Sequence, residues 1–401
     1  MPVAEALGRL LAAAEAAPRS IERISIGDGA GRVLAETLVA GRDAPPFTMS
    51  AMDGYALRAS ETGAPGPWLP VIGESAAGHA FPGALEAGQA VRIFTGARVP
   101  PGADAILIQE DAERDAGRVR AREPVAAGRF IRETGRDFRR GEAGPPPGKR
   151  LTTRDLALIA AMNIPEIAVV AHPLIAILAT GDELARPAAH LAADRTIASN
   201  AIAIAAMARE AGADILDLGI AQDNRESLTH AISAARDQGA SLLVTIGGAS
   251  VGEHDLVRPT LGALGATLDF YRIAMRPGKP LNFGRLGPML VLGLPGNPAS
   301  AIVCATLFLI PLIRALQGDS EAGKDHTLPA RLARALPAND GREDYLRATW
   351  SFDPDGRLLA DPLPDQDSSL IRVLAQAEAL LIRPPHAPAA PAGSACRILK
   401  L

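Results

Sequence analysis

Four short stretches of the chain gather acids and glycines where an apolar run ends. TGDEL (180–184) places Asp182 and Glu183 directly after LIAILAT, and Gln222, Asp223 and Asn224 follow DILDLGI (214–220). GGASVGEHD (247–255) runs from Gly247 and Gly248 through Ser250 to Glu253 and Asp255, and GLPGNPASA (293–301) carries Pro295, Asn297 and Pro298. A glycine-rich turn leaves backbone N–H groups open to an anion, and a helix N-terminus adds partial positive charge. The oxygens of Glu183, Asp223 and Asp255 suit Mg2+, a hard ion that takes oxygen ligands. Together they fit a phosphate compound held with a divalent cation. Singly, each has a plainer reading: Asp223 as a helix N-cap, Gly247-Gly248 as an ordinary turn. Recurrence at four successive strand ends favours one shared site.

Two further stretches carry candidate chemistry. RIAMRPGKPLNFG (272–284) collects Arg272, Arg276 and Lys279 around a Pro-Gly turn that ends on Pro280. Its apolar flanks anchor the turn, and a rigid set of cations suits a small oxyanion because little ordering is needed on binding. A solvated basic turn is the alternative. SAMDGYAL (50–57) holds a single acid, Asp53, among apolar and small neighbours. Asp-Gly is a common turn dipeptide, so Asp53 is either a turn residue or a working group. The seven histidines show no HxH or HExxH spacing, no GxSxG elbow occurs, and GPPPGKRL lacks the Walker spacing.

The elements that must position these residues follow from texture along the chain. At 401 residues, a prior of one domain per ~150 gives about two to four domains. Apolar residues make up 48% and aromatic ones 3%, so the cores of this folded chain are aliphatic. Lys+Arg 41 against Asp+Glu 45 gives a net charge of −4, which offers no general attraction for nucleic acid or an anionic membrane. The N-terminal stretch has Leu7, Leu10 and Leu11 at helical spacing and reads as an amphipathic helix, not a signal peptide. IVCATLFLIPLI (302–313) is too short to span a bilayer and contains Pro311. Cys304 and Cys396, far apart, exclude a disulfide framework or cysteine zinc site, and a cytoplasmic location is the default expectation.

Strands alternating with helices over 172–326 predict a central, doubly wound α/β domain with a parallel sheet. Ligands of such sheets bind beyond the carboxyl ends of the strands, where the four acid- and glycine-bearing stretches fall. Residues 46–141, rich in Gly and Pro with short strands such as VRIFT, predict a β-rich insertion. Residues 1–45 with 142–171 form a small α+β N-terminal and linking region, with Thr152 or Thr153 capping the helix after PPPGKR. Residues 327–401 predict a C-terminal β-domain.

Seven segments, SAMDGYA, TGARVPPGADAI (95–106), GRDFRRGE (135–142), TGDEL, GGASVGEHD, RPGKP and LPGNPAS, occur in an order that covers nearly the whole chain. On them the chain resembles the MoeA family of molybdopterin molybdenumtransferases, related to the E domain of gephyrin. The resemblance implies an elongated multidomain homodimer that inserts molybdate into adenylylated molybdopterin, releases AMP and requires a divalent cation. It implies a cleft shared between subunits, in which Asp53 and Thr95 are donated by the neighbour and Asp137 is a further polar residue. Glu183, Asp223 and Asp255 match the family's cleft acids, and Ser250 its serine in the glycine-rich turn. Arg276, Lys279 and Pro280 match its molybdate-binding turn, and Arg347 or Arg342 with Ser368 its C-terminal polar residues. Arg272 and Arg276 stand where bacterial members have lysines, which exchanges a compact ammonium for a planar fork. DQDSSL (365–370) matches only loosely. Further partners implied are the adenylyltransferase and apo-molybdoenzymes, with no nucleic acid and no membrane. The alternatives are the adenylyltransferase itself, a related nucleotide-hydrolysing enzyme, and a gephyrin-type scaffold, which would need a partner groove.

Overall fold

The computed structural model describes residues 1–188, 190–248 and 256–401. Ser250, Glu253 and Asp255 lie outside the described residues.

The central sheet has six strands in the order Asp214–Ala221, Leu174–Thr180, Leu242–Ile246, Met289–Leu294, Pro280–Leu286 and Thr267–Arg272. Alternation along the strands feeds two cores. Ile175, Ile177 and Val244 face Val303, Phe308 and Leu312, while Ala176, Leu178 and Leu243 face Leu228, Ile232 and Leu261. Helices therefore cover both faces, and each fully buried aliphatic side chain contributes about 1.5–3 kcal/mol. The first four strands are parallel, as expected from their apolar runs. The last two pair antiparallel, which corrects the expectation of an all-parallel sheet. Only Gly287 and Pro288 separate Leu286 from Met289, and Gly287 takes φ +60°. A two-residue link closes a hairpin and cannot hold the crossover that a parallel pair needs.

The apolar run after Pro298 is longer in the structure than its sequence suggests. Pro298–Leu316 is one helix of 19 residues, long and apolar enough to cross a membrane, yet 67% of its most apolar window is buried inside the protein. It is a core helix. A π-type segment, Ala305–Leu309, interrupts it just before Pro311, which has no N–H to continue the α register. The N-terminal helix Val3–Glu15 packs on this core through Ala6, Leu10 and Ala14. Although it belongs to the N-terminal stretch of the chain, its apolar face is thus buried on the central domain.

That region pairs Ile21–Ser25 antiparallel with Glu166–Val170. Its helix Thr153–Ala161 starts from a capping box between Thr152 and Asp155. The insertion is a six-stranded sheet in which Gly54–Leu57 lies between Ala105–Ile108 and Ala90–Ile93. Gly54 is required by close approach: a Cβ there would stand 2.1 Å from the Leu107 carbonyl oxygen. The C-terminal strands close on themselves, because Glu343–Phe352 pairs with both Leu358–Pro362 and Ala379–Arg383 in the one sheet. The result is a small barrel.

Candidate active site

A cavity of about 920 Å3 opens at the carboxyl ends of the parallel strands. Thr180 and Gly181 end one strand and Gly247 and Gly248 follow another, while Asn297 and Pro298 begin the core helix. Glu183 and Asp223 supply its carboxylates, and Ser369 and Ile371 reach in from the barrel. Gly247 has φ +91°, and a Cβ on it would come 2.8 Å from the Thr180 carbonyl oxygen, so a glycine is needed where these strand ends converge. Asn200 donates to the Gly296 carbonyl at 2.6 Å and ties the helix Ser199–Glu210 to the PGNP turn.

Asp223 is not the helix cap. Asn224 caps Arg225–Asp237, its side chain accepting from the Ser227 N–H at 2.8 Å, which leaves the Asp223 carboxylate to the cavity. Asp182 accepts from the Asp223 N–H at 3.0 Å, so the two acid-bearing loops are laced together. Partial desolvation and the charges of Asp182 and Glu183 push the Asp223 carboxyl above its ordinary range. Among the described residues no three His, Cys, Asp or Glu converge to hold a metal by themselves. Mg2+ commonly takes one or two carboxylates and completes its shell with water and substrate phosphate, a pattern that Glu183 and Asp223 fit.

The basic turn is arranged differently from its sequence reading. Arg276 turns to the barrel and grips Asp344 with Nε at 2.9 Å and Nη2 at 2.5 Å, while Asp340 is 3.7 Å from Nη1. This bidentate pair raises the Arg276 pKa and places a carboxylate where an oxyanion was expected. Arg272 is exposed, its guanidinium 5.5 Å from the Tyr271 ring centroid. Lys279 is exposed; its carbonyl accepts from the Ile273 N–H at 2.9 Å, but its side chain makes no hydrogen bond or ion pair among the described residues, and its neighbour Pro280 lines the cavity.

The two candidate arginines of the barrel separate clearly. Arg342 is bound to Asp340 at 2.7 Å and lies outside the cavity. Arg347 is 1% exposed, with its pKa lowered by burial, and its backbone is clasped by the Gln366 side chain. Its Nη2 reaches the Asp367 carbonyl at 3.4 Å. Arg347 therefore anchors the loop that presents Ser368, whose hydroxyl accepts from Asn297 Nδ2 at 2.9 Å and whose carbonyl accepts from the Ala299 N–H.

In the insertion, Asp53 Oδ1 accepts from the Thr95 N–H at 2.7 Å and the Thr95 hydroxyl at 2.8 Å. These donors, with the Arg92 charge beyond them, hold the Asp53 carboxyl below its ordinary range. Asp53 occupies a bend before Gly54–Leu57, and both it and Thr95 keep their side-chain hydrogen bonds within the insertion. Asp137 is exposed.

Family models match the chain in three parts: "MoeA N-terminal region (domain I and II)" over residues 1–163, "Probable molybdopterin binding domain" over 176–315, and "MoeA C-terminal region (domain IV)" over 329–401. A molybdopterin molybdenumtransferase of Haemophilus influenzae is 32% identical over 366 residues, covering 91% of this chain and 90% of that protein. The chain belongs to this family. Another molybdopterin molybdenumtransferase, from Synechococcus elongatus, is 33% identical and covers 94% of each chain. A crystal structure of the molybdopterin biosynthesis MoeA protein from Pyrococcus horikosii superposes with a TM-score of 0.82 at 29% identity, over 100% of this chain and 98% of that one.

For a molybdopterin molybdenumtransferase, the cavity adds residues that sequence reasoning missed. Thr180, Ser369 and Ile371 line it beside the strand-end acids. Thr180 carries the one signal available beforehand, a polar residue closing an otherwise apolar strand. Ser369 and Ile371 reach the cavity only because the barrel docks there.

Proposed function

We propose that this chain inserts molybdate into the dithiolene of adenylylated molybdopterin, with release of AMP, in a Mg2+-dependent reaction at the central cleft. The observation that carries the reading is the cavity at the strand ends, which pairs Glu183 and Asp223 with glycine turns in a chain of this family. Its volume, about 920 Å3, is at the upper end of ordinary ligand pockets and suits an extended nucleotide conjugate. Glu183 and Asp223 would hold Mg2+, which when bound offsets phosphoanhydride charge. Lys279, with no ion pair among the described residues, is the cation left to attract the molybdate dianion, with Arg272 adding long-range charge. The Ser368–Asn297 contact orients the PGNP turn against the substrate. Rate enhancement then comes from positioning and charge stabilisation.

The reading includes a homodimer in which Asp53 and Thr95 complete the partner's cleft. The exposure of Thr95, the partial exposure of Asp53, and hydrogen bonding that stays within the insertion support it. The deciding experiment supplies the purified chain with adenylylated molybdopterin, molybdate and Mg2+, and follows AMP release and activation of an apo-molybdoenzyme. Activity with molybdopterin and ATP alone would instead make it an adenylyltransferase.

A further inference from the structure

The insertion carries a second, open pocket of about 340 Å3, lined by Tyr55, Val71, Arg92, Arg114, Asp115 and Arg118 among others. It shares no lining residue with the central cavity. We propose that this pocket binds the phosphate of a small organic phosphate monoester, with the organic body resting on Tyr55 and Val71.

The charges here are left over from folding. Arg92 is half-buried, a position in which a guanidinium ordinarily has a carboxylate partner, yet among the described residues it makes no salt bridge and has only the longer-range charge of Asp53. It donates to the Gly54 carbonyl at 3.2 Å and to Gln109 Oε1 at 2.9 Å, and stacks 5.0 Å from the Tyr55 ring centroid and 4.9 Å from that of Phe94. Arg114 makes no hydrogen bond or ion pair among the described residues, and its guanidinium stands 5.8 Å from the same Tyr55 ring. Two cations without a salt bridge among the described residues thus converge on one aromatic ring. Glu74 is the register partner of Arg92 but forms no ion pair with it, and Asp53 is occupied by Thr95.

Tyr55 forms the apolar floor of the pocket: it is 4% exposed, and the guanidinium groups of both Arg92 and Arg114 lie over its ring. The rim is also fixed in advance. The turn at Ala116 and Gly117 takes φ +44° and +80°, and the Gly117 carbonyl accepts from the Val71 N–H at 2.9 Å. Preorganisation of this kind lowers the ordering cost of binding.

Charge matching selects the ligand class. Arg118 is already paired with Asp115 at 2.7 Å, which leaves the Arg114 side chain without an ion pair among the described residues and Arg92 with only the longer-range charge of Asp53. A phosphate monoester carries a charge of about −1.5 to −2 near neutral pH and three acceptor oxygens, enough to accept from both guanidinium groups, whereas a carboxylate offers two oxygens and one charge.

Calorimetric titration of the full chain with phenyl phosphate at constant ionic strength tests the assignment. Saturable binding is expected, weakened about tenfold or more by Arg114→Ala and less by Tyr55→Phe, with Lys279→Ala leaving it unchanged. Arg114 is exposed, so its removal does not threaten folding. Superimposable isotherms for the wild type and Arg114→Ala overturn the proposal, as does loss of binding in Lys279→Ala, which would move the ligand to the cleft. Inorganic phosphate or molybdate binding as tightly as phenyl phosphate would overturn the role given to the organic body. Absence of saturation would remove the site altogether.

Discussion

In the insertion, Asp53 faces two donors from Thr95; in the cleft, Asp223 faces two other carboxylates. The same side chain is consequently stabilised as an anion in one region and strained as one in the other. Hydrogen bonds given to the charged form lower a carboxyl pKa, while desolvation and like charge raise it. Asp53 is complete without a ligand and serves as a fixed charge. Asp223 accepts only a long hydrogen bond from the Asp182 N–H at 3.4 Å and stays crowded by like charge, a crowding that the proposed Mg2+ would relieve.

Asp223→Asn breaks this contrast most severely. Activity should fall by about a hundredfold or more in a molybdate-insertion assay, because a charge-positioning group is lost. Thermal unfolding of the same variant sharpens it. A carboxyl raised in the folded state disfavours folding once pH passes its unfolded value, so removal of that charge should raise the unfolding midpoint at pH 7 without Mg2+. Added Mg2+ should stabilise the wild type more than the variant.

Mixed dimers give the next largest effect. Asp53→Ala and Asp255→Ala should each be inactive alone, and random pairing should restore about a quarter of the sites if clefts are shared. Subunit exchange without recovered activity would place Asp53 outside the partner's cleft.

The basic turn supplies a third test. Asp344→Ala leaves Arg276 without its clamp and should cost about 1–2 kcal/mol in denaturant unfolding, modest because Arg276 is half exposed. Arg276→Lys should destabilise in the same direction, since an ammonium cannot make the bidentate pair.

The smallest effect concerns Thr95→Val, which keeps the backbone donor and removes the hydroxyl. The Asp53 pKa should rise, so the acid limb of the pH–activity profile moves to higher pH. In the wild type, the stability that Asp53 adds is present above the unfolded carboxylate pKa and is lost as pH falls through the lowered folded one.

Local signals in the sequence carried far. The helix cap at Thr152 or Thr153, the parallel apolar strands and the strand-end positions of Glu183 and Asp223 are all properties of short windows; the structure repeats them and chooses Thr152 as the cap. What escaped depended on distant partners. Nothing near Arg276 announces Asp344, because that carboxylate arrives on a barrel strand that pairs beside it. The antiparallel sheet edge was hidden for another reason: buried strands read as apolar runs whichever way they pair. Arg347 and Arg342 could not be separated by spacing, and burial of one against the Gln366 loop distinguishes them.

The first helix has a consequence for how the protein is made. Val3–Glu15 is synthesised some three hundred residues before Leu312 and Leu316, which belong to the core that it covers. The insertion, by contrast, is nearly contiguous and can fold during synthesis. The apolar stripe of Ala6, Leu10 and Ala14 therefore cannot reach its native partners until they too are synthesised, and a late docking of this helix is the expected outcome in a folding experiment.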